Sequence, residues 1–147
     1  MATRGRSRIA VVEKALASSE PLAKVREAIA ETNEEQRVVM WAFACLLETN
    51  SAGLSILLDR FTGPELGRME KALDTIGAKR TLADLRKLRQ AFVAARHSGQ
   101  SRDDAAEAVD RGALGRASAR AREAHVREME DRLLSFCKAH VAELAAG

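Results

Sequence analysis

The sequence predicts an all-α protein, a single compact bundle of about seven helices around a buried central helix. First, the 147-residue composition, 46% hydrophobic and 31% charged, is that of an ordinary globular domain and is rich in helix-forming residues. Second, no stretch has the alternating pattern of a strand. Third, residues 38–47 carry no charge, and a helix that is apolar on every side belongs in a core. This run is shorter than the roughly 20 residues that span a bilayer, so we expect no membrane segment.

The N-terminal residues divide into a tail and the start of the helical domain. Residues 1–8 contain three arginines and are predicted to form a disordered basic tail, with one helical domain over 9–147. Apolar residues at helical spacing predict a helix over 9–17 and a second one over 21–30.

The cysteines and the N-terminus indicate a compartment. Cys45 and Cys137 both lie on apolar helical faces, where two reduced thiols suit a cytosolic protein better than a disulfide framework does. The apolar run behind the basic tail is too short for a signal peptide. We therefore expect a cytoplasmic protein.

The central helix has clear start and stop signals. Asn33 and Gln36 have the spacing of a capping box, so the helix is expected to begin there. It is predicted to end near Asn50, before Gly53, the residue here best suited to a strained backbone angle. A short, heavily buried helix over 54–61 follows.

The later helices follow the same logic. Thr62 and Glu65 form a second capping box, which opens a helix that stops at Gly77. The segment 81–84 is expected to cap the next helix by local side chains. Gly112 and Gly115 interrupt any helix that passes through them, so a break or a mobile segment is expected there, and a last helix over 126–144 should pack along the central one.

Charge is concentrated in one segment. The chain is +3 overall, but over residues 79–102 seven basic residues face only Asp84, a net charge of +6. Arg86 and Lys87 are the candidate contacts if this segment meets nucleic acid. A solvated face is the favoured alternative, because Phe92 should point inward and leave no aromatic ring for base stacking.

Glu48 is the most informative carboxylate. It follows ten uncharged residues and directly precedes the turn, so its carboxylate either holds the amide groups of the turn or acts as a binding-site acid. With Asn50 and Gly53, which share this turn, and with Arg86 and Lys87, it makes up the set of candidate binding residues.

No motif in the sequence indicates catalysis or a metal. Cys137 and His140 share a helical face, but a zinc site needs about four ligands and no second pair is present. Walker, dinucleotide-binding and catalytic-triad motifs are all absent from the sequence. We expect no enzyme activity, no cofactor and no metal.

Two segments carry a resemblance to a known family. The run Glu-Thr-Asn-Ser-Ala-Gly-Leu at residues 48–54 resembles the Glu-Val-Asn-Asn-Gly-Gly-Phe signature of the helical family named for a DNA-mimic protein. Residues 72–81 are similar to that family's Ala-Leu-x-x-Ile-Gly-Ala-x-x-Thr segment. Ser51, Ala52 and Leu54 depart from the signature. The resemblance implies an all-helical fold, protein partners and no known catalysis.

These observations predict a non-enzymatic helical domain that binds a protein partner and that can form a homodimer. DNA mimicry requires rows of carboxylates, and a chain at +3 with a +6 segment does not suit it. The alternative function is a nucleic-acid-associated regulator that uses residues 79–102. An enzyme of unknown class stands third and would need a deep pocket converging on Glu48 and Asn50.

Overall fold

The structure, a computed structural model, describes residues 33–145. Within that range it contains eight helices and no strand, which confirms the all-α prediction. The helices are α1 (Glu34–Ala52), α2 (Ile56–Arg60), α3 (Gly63–Ile76), α4 (Lys79–His97), α5 (Arg102–Arg111), α6 (Ala113–Arg120), α7 (Arg122–Ala139) and α8 (Val141–Ala145). The basic tail predicted for residues 1–8 and the helices predicted over 9–17 and 21–30 lie outside the described residues.

Helix α1 forms the centre of the core, as predicted. Met40, Ala42 and Cys45 on successive faces of this helix are completely buried, and Trp41 is only 5% exposed. A helix without a polar stripe can bury every face only if neighbours surround it. Among the described helices, α3 and α7 make the most extensive contacts with α1.

The start of α1 also holds the C-terminal helix. The predicted capping box is present: the Gln36 amide donates to Asn33 Oδ1 at 2.8 Å, and the Asn33 amide donates to Gln36 Oε1 at 3.2 Å. The other ends of the same two side chains donate to the carbonyl oxygens of Glu143 and Leu144 in α8, at 2.7 and 2.9 Å. These bonds join the last described helix to the first one.

The beginning of α4 differs from the prediction. The helix starts at Lys79, two residues earlier than expected, and segment 81–84 does not cap it locally. The amides of Arg80 and Thr81 donate instead to the carboxylate of Glu128 on α7, at 3.1 and 2.7 Å. A side chain far away in the sequence therefore provides the cap.

The break expected around Gly112 and Gly115 is present at the first of these two residues. The chain turns at Gly112, but Gly115 lies inside α6 and is buried. A Cβ atom at Gly115 would collide with the carbonyl oxygens of Val109 and Asp110, so glycine allows α6 to pass close to the end of α5. The break at Gly112, the boundary between α6 and α7, and a division at His140 separate residues 102–145 into four helices.

None of the helices described over residues 33–145 combines the length and the apolar character that crossing a bilayer requires.

Candidate functional site

The turn after α1 is a structural element. Gly53 has φ +89°, the strained angle predicted for it, and its amide donates to the Thr49 carbonyl at 2.8 Å. The residue is buried, and a Cβ atom there would meet Ala119 Cα of α6 at 3.9 Å. Gly53 therefore ends α1 and lies beneath α6.

Glu48 has a different partner from the one that was expected. Its Oε2 accepts a hydrogen bond from Arg60 Nη1 of α2 at 2.8 Å, so the carboxylate does not hold the amides of the turn. Glu48 is buried, whereas the Arg60 side chain is about half exposed. The pair links α1 to α2. Arg60 neutralises Glu48, which the sequence had indicated as a possible binding-site acid.

Asn50 faces a different part of the surface. It is exposed and lines a shallow cavity of about 270 Å³ with Arg122, Glu123, Arg127 and Glu130 of α7. Glu48 does not line this cavity. The described pockets therefore do not bring Glu48 and Asn50 together, which is what an active site at this turn would require.

A cavity with acidic walls lies on the other side of the turn. Asp59, Glu107 and Asp110 line a space of about 320 Å³ between α2 and α5. Ser55 Oγ donates to Asp110 Oδ1 at 2.6 Å, and Glu107 pairs with Arg111 at 2.6 Å. Within residues 33–145 no group of three or more His, Cys, Asp or Glu side chains has the arrangement of a metal site.

The basic segment is partly neutralised. Glu70 of α3 pairs with Arg89 at 2.7 Å and with Arg86 at 3.7 Å, and Arg89 also donates to the Gly63 carbonyl at 2.9 Å. Lys87 is exposed and has no ion pair among the described residues. Arg86 and Lys87 therefore lie on the exposed side of α4, but one of them is partly compensated by a carboxylate.

A polar contact between α4 and α7 was not found by sequence reasoning. Glu128 Oε1 accepts from both the amide and the hydroxyl of Thr81 at 2.7 Å, and His125 Nε2 lies 2.6 Å from Asp84 Oδ2. His125 is fully buried, and its Nδ1 has no hydrogen-bond partner among residues 33–145. Thr81 and Asp84 are spaced i, i+3 on α4, as are His125 and Glu128 on α7. This spacing is visible in the sequence, but the sequence does not show that the two pairs face each other.

The pKa of Glu128 is set by opposing effects. Burial by itself raises the pKa of this carboxyl, whereas the hydrogen bonds from Thr81 and Arg80 and the nearby His125 lower it, and the net result is a lowered pKa. The carboxylate is therefore held in its charged form at the N-terminus of α4, where a negative charge is favourable.

A basic pocket around Trp41 was also missed. It lies between α1 and α3 and has a volume of about 270 Å³. Its lining residues are Glu34, Arg37, Val38, Trp41, Arg68, Lys71 and Ala72. We call it the Trp41 pocket. The sequence predicted Trp41 as a core residue, which it is, but the packing of α3 beside it leaves one side of the ring at the bottom of a surface depression.

The cations of the Trp41 pocket have no carboxylate partner in the described part of the chain. The Arg68 guanidinium carbon lies 5.9 Å from the centre of the Trp41 ring, a cation–π distance. No ion pair found among residues 33–145 involves Arg37, Arg68 or Lys71. These side chains are therefore available to an external anionic group.

Both cysteine thiols have raised pKa values and are therefore weak nucleophiles. Burial raises the pKa of the Cys45 thiol to about 12, with a hydrogen bond to Thr49 acting in the other direction. Burial also raises the pKa of the half-buried Cys137. His140, the residue that shares a turn with Cys137, stacks on Phe136 with 4.2 Å between the ring centres. Neither thiol is in the ionised form that attacks substrates.

Comparison with known proteins identifies the family. The sequence profile of the family described as DMP19-like protein matches residues 30–140, which extends beyond the two segments that carried the resemblance. No curated protein and no solved structure matches the chain. The family match covers well over half of the sequence and confirms the resemblance seen at residues 48–54 and 72–81. The chain belongs to the DMP19-like protein family.

Proposed function

We propose that the protein is a non-enzymatic helical domain that binds a protein partner. The observation that carries this proposal is the Trp41 pocket, where one tryptophan and three cations that form no ion pair within residues 33–145 surround a preformed depression. Tryptophan and arginine are the residues that most often dominate the energetics of protein interfaces. A pocket between two packed helices changes little in shape on binding, which limits the entropic cost.

The state of the candidate reactive groups supports a non-enzymatic role. Glu48 is paired with Arg60, the raised pKa of Cys45 keeps its thiol protonated, and His125 has no exposed surface. General acid–base and nucleophilic catalysis need such groups within reach of a substrate.

The proposal includes a reduced, cytoplasmic location and self-association as one form of partner binding. Both cysteines are free, which suits a reducing compartment. Leu134 and Val141 are each more than half exposed, and apolar side chains of this size at a surface favour contact with another protein. Sedimentation of the purified protein over a range of concentrations measures whether a second copy is the partner.

The nucleic-acid alternative is not favoured. Glu70 lies against Arg86 and Arg89 and offsets part of the charge on which contact with phosphates depends. It remains a prediction that low-salt binding to DNA or RNA would support.

Affinity capture with matched variants tests the proposal. Arg37→Glu with Lys71→Glu reverses two charges in the Trp41 pocket, and Arg86→Glu with Lys87→Glu makes the same charge change on the exposed side of α4. We expect the wild-type protein and the α4 variant to retain a common partner, identified by mass spectrometry, that the pocket variant loses. The partner must then bind again as purified protein. Retention of no specific protein by the wild type, together with turnover of a small substrate, contradicts the proposal.

A further inference from the structure

We propose that the Trp41 pocket recognises an acidic segment of the partner that also carries an apolar side chain. This inference rests on the proposed function and adds the chemistry of the partner.

The pocket has an apolar floor and basic walls. Val38, Trp41 and Ala72 form the floor and are almost completely buried. Such a floor can contact one aliphatic side chain of a bound segment. Because water is excluded from this contact, burial of that side chain favours binding.

The walls come from two different helices. Arg37 projects from α1, while Arg68 and Lys71 project from α3, one turn apart. A carboxylate placed between the helices can therefore meet cations from both sides. Since these cations have no ion pairs among the described residues, a new carboxylate does not have to displace an existing one. Charge-assisted hydrogen bonds of this kind are stronger than neutral ones.

The net charge of the lining selects an acidic ligand. Three basic residues and one acidic residue, Glu34, line the pocket, which leaves it positive. The remainder of this chain does not provide the complement, because residues 1–32 contain six basic and four acidic residues. A separate, acidic partner satisfies the charge better than the protein's own N-terminal segment does.

A protein segment suits the pocket better than nucleic acid. Arg68 lies over the Trp41 ring, and the ring is 5% exposed, so little of its face is open for a base to stack. Glu34 also lines the pocket and can accept hydrogen bonds from the N–H groups of a peptide, donors that a phosphate backbone does not have.

The chain contains its own reporter for this pocket. Trp41 is the only tryptophan, and the protein has no tyrosine, so intrinsic fluorescence excited at the red edge of the indole band reports on this site alone. A bound segment on the pocket floor changes the polarity around the ring and displaces the Arg68 guanidinium, and either effect alters the emission.

The test is a fluorescence titration of the full chain with defined probes. The probes are a short peptide of glutamate and leucine, its counterpart in which lysine replaces glutamate, and a single-stranded oligonucleotide without secondary structure. We expect only the acidic peptide to change the Trp41 emission, with binding that weakens as salt is added. The Arg86→Glu/Lys87→Glu variant should bind like the wild type. The Arg37→Glu/Lys71→Glu variant should bind at least about tenfold more weakly, because two attractive charges become repulsive.

Three results would overturn the inference: an unchanged emission with the acidic peptide, equal binding by the pocket variant, or a response to the oligonucleotide that exceeds the response to the peptide. Each is distinct from failure of the proposed function. If affinity capture finds a partner that depends on the pocket but the acidic peptide does not bind, the protein-binding role stands and the acidic chemistry is wrong. Circular dichroism of both variants confirms that neither comparison reflects unfolding.

Discussion

Removal of the Glu128 side chain should destabilise the protein although this residue lies on the surface of α7. The first three amides of α4 have no partners within the helix, as at every helix start. The Lys79 amide donates to the Gly77 carbonyl, and those of Arg80 and Thr81 donate to Glu128. In Glu128→Ala two of these three donors lose their acceptor.

The expected loss follows from the burial of the donors. Thr81 is fully buried, so water cannot readily replace the carboxylate at its amide and hydroxyl. Loss of a helix cap costs about 0.5–2 kcal/mol, and burial of Thr81 places Glu128→Ala near the upper end of that range. For a domain of this size a loss of about 2 kcal/mol lowers the melting temperature by roughly 4–8 °C. Glu128→Gln keeps one acceptor oxygen but loses the charge, and should cost about half as much.

Urea unfolding followed by circular dichroism at 222 nm and neutral pH measures these losses, since the regular secondary structure of residues 33–145 is all helical. Glu130→Ala is the matched control, because Glu130 is an exposed carboxylate of the same helix without an ion pair among the described residues. The control should change the free energy of unfolding by less than about 0.5 kcal/mol. If Glu128→Ala and Glu130→Ala are equally stable, Glu128 does not cap α4.

The pH dependence of the free energy of unfolding tests the role of Glu128 independently. The pKa of Glu128 is lowered in the folded protein relative to the unfolded chain. Its contribution is therefore fully present above the unfolded pKa of about 4.3 and is lost as the pH falls through the folded pKa. The stability difference between wild type and Glu128→Gln should shrink as the pH falls below about 4. The carboxylate is only partly buried, so solvent screening keeps this contribution modest. A difference that grows on acidification contradicts the assignment.

Two further predictions concern glycine and cysteine positions. Gly53→Ala should destabilise the protein by about 1–2 kcal/mol because Gly53 has a positive φ. Gly67 lies inside α3 and a Cβ atom there would make only ordinary contacts with Arg89, so Gly67→Ala should stabilise the protein by up to about 1 kcal/mol. Thermal unfolding measures both changes, and equal effects would contradict the backbone role assigned to Gly53. In the native protein at pH 8, Cys45 should not react with a thiol reagent, and the half-buried Cys137 should react slowly. Both thiols should react at once in denaturant. Rapid modification of two thiols in the native state would contradict the burial of Cys45.

Features determined by neighbouring residues could be predicted from the sequence. The capping boxes at Asn33 and Thr62 and the stop at Gly77 each depend on a few adjacent positions, and each is present. The charge-free run at residues 38–47 identified the buried helix, because it has no polar face to present to water.

Features that depend on distant residues could not be predicted. The cap of α4 comes from Glu128, 47 residues after Thr81, and the partner of Glu48 is Arg60, beyond the turn. The sequence could not show which residues α7 sets against α4. The early start of α4 follows from the same cause, since a local search for a cap could only choose among residues 81–84.

The candidate site also combines features that single positions indicate with features that depend on helix packing. Asn50, Arg86 and Lys87 are exposed, and whether any of them contacts a partner stays a prediction. The Trp41 pocket combines side chains of α1 and α3 that are separated by about thirty residues, and its existence depends on the way these helices pack. In the sequence Trp41 is simply one of several apolar residues.

Nuclear magnetic resonance mapping of the acidic peptide on the ¹⁵N-labelled protein tests the central claim most directly. The account predicts shift changes in the backbone amides around Arg37 and Trp41 in α1 and around Arg68 and Lys71 in α3, together with the Trp41 indole signal. Shifts that instead concentrate at Lys87 on α4, or a spectrum that the peptide leaves unchanged, would contradict it.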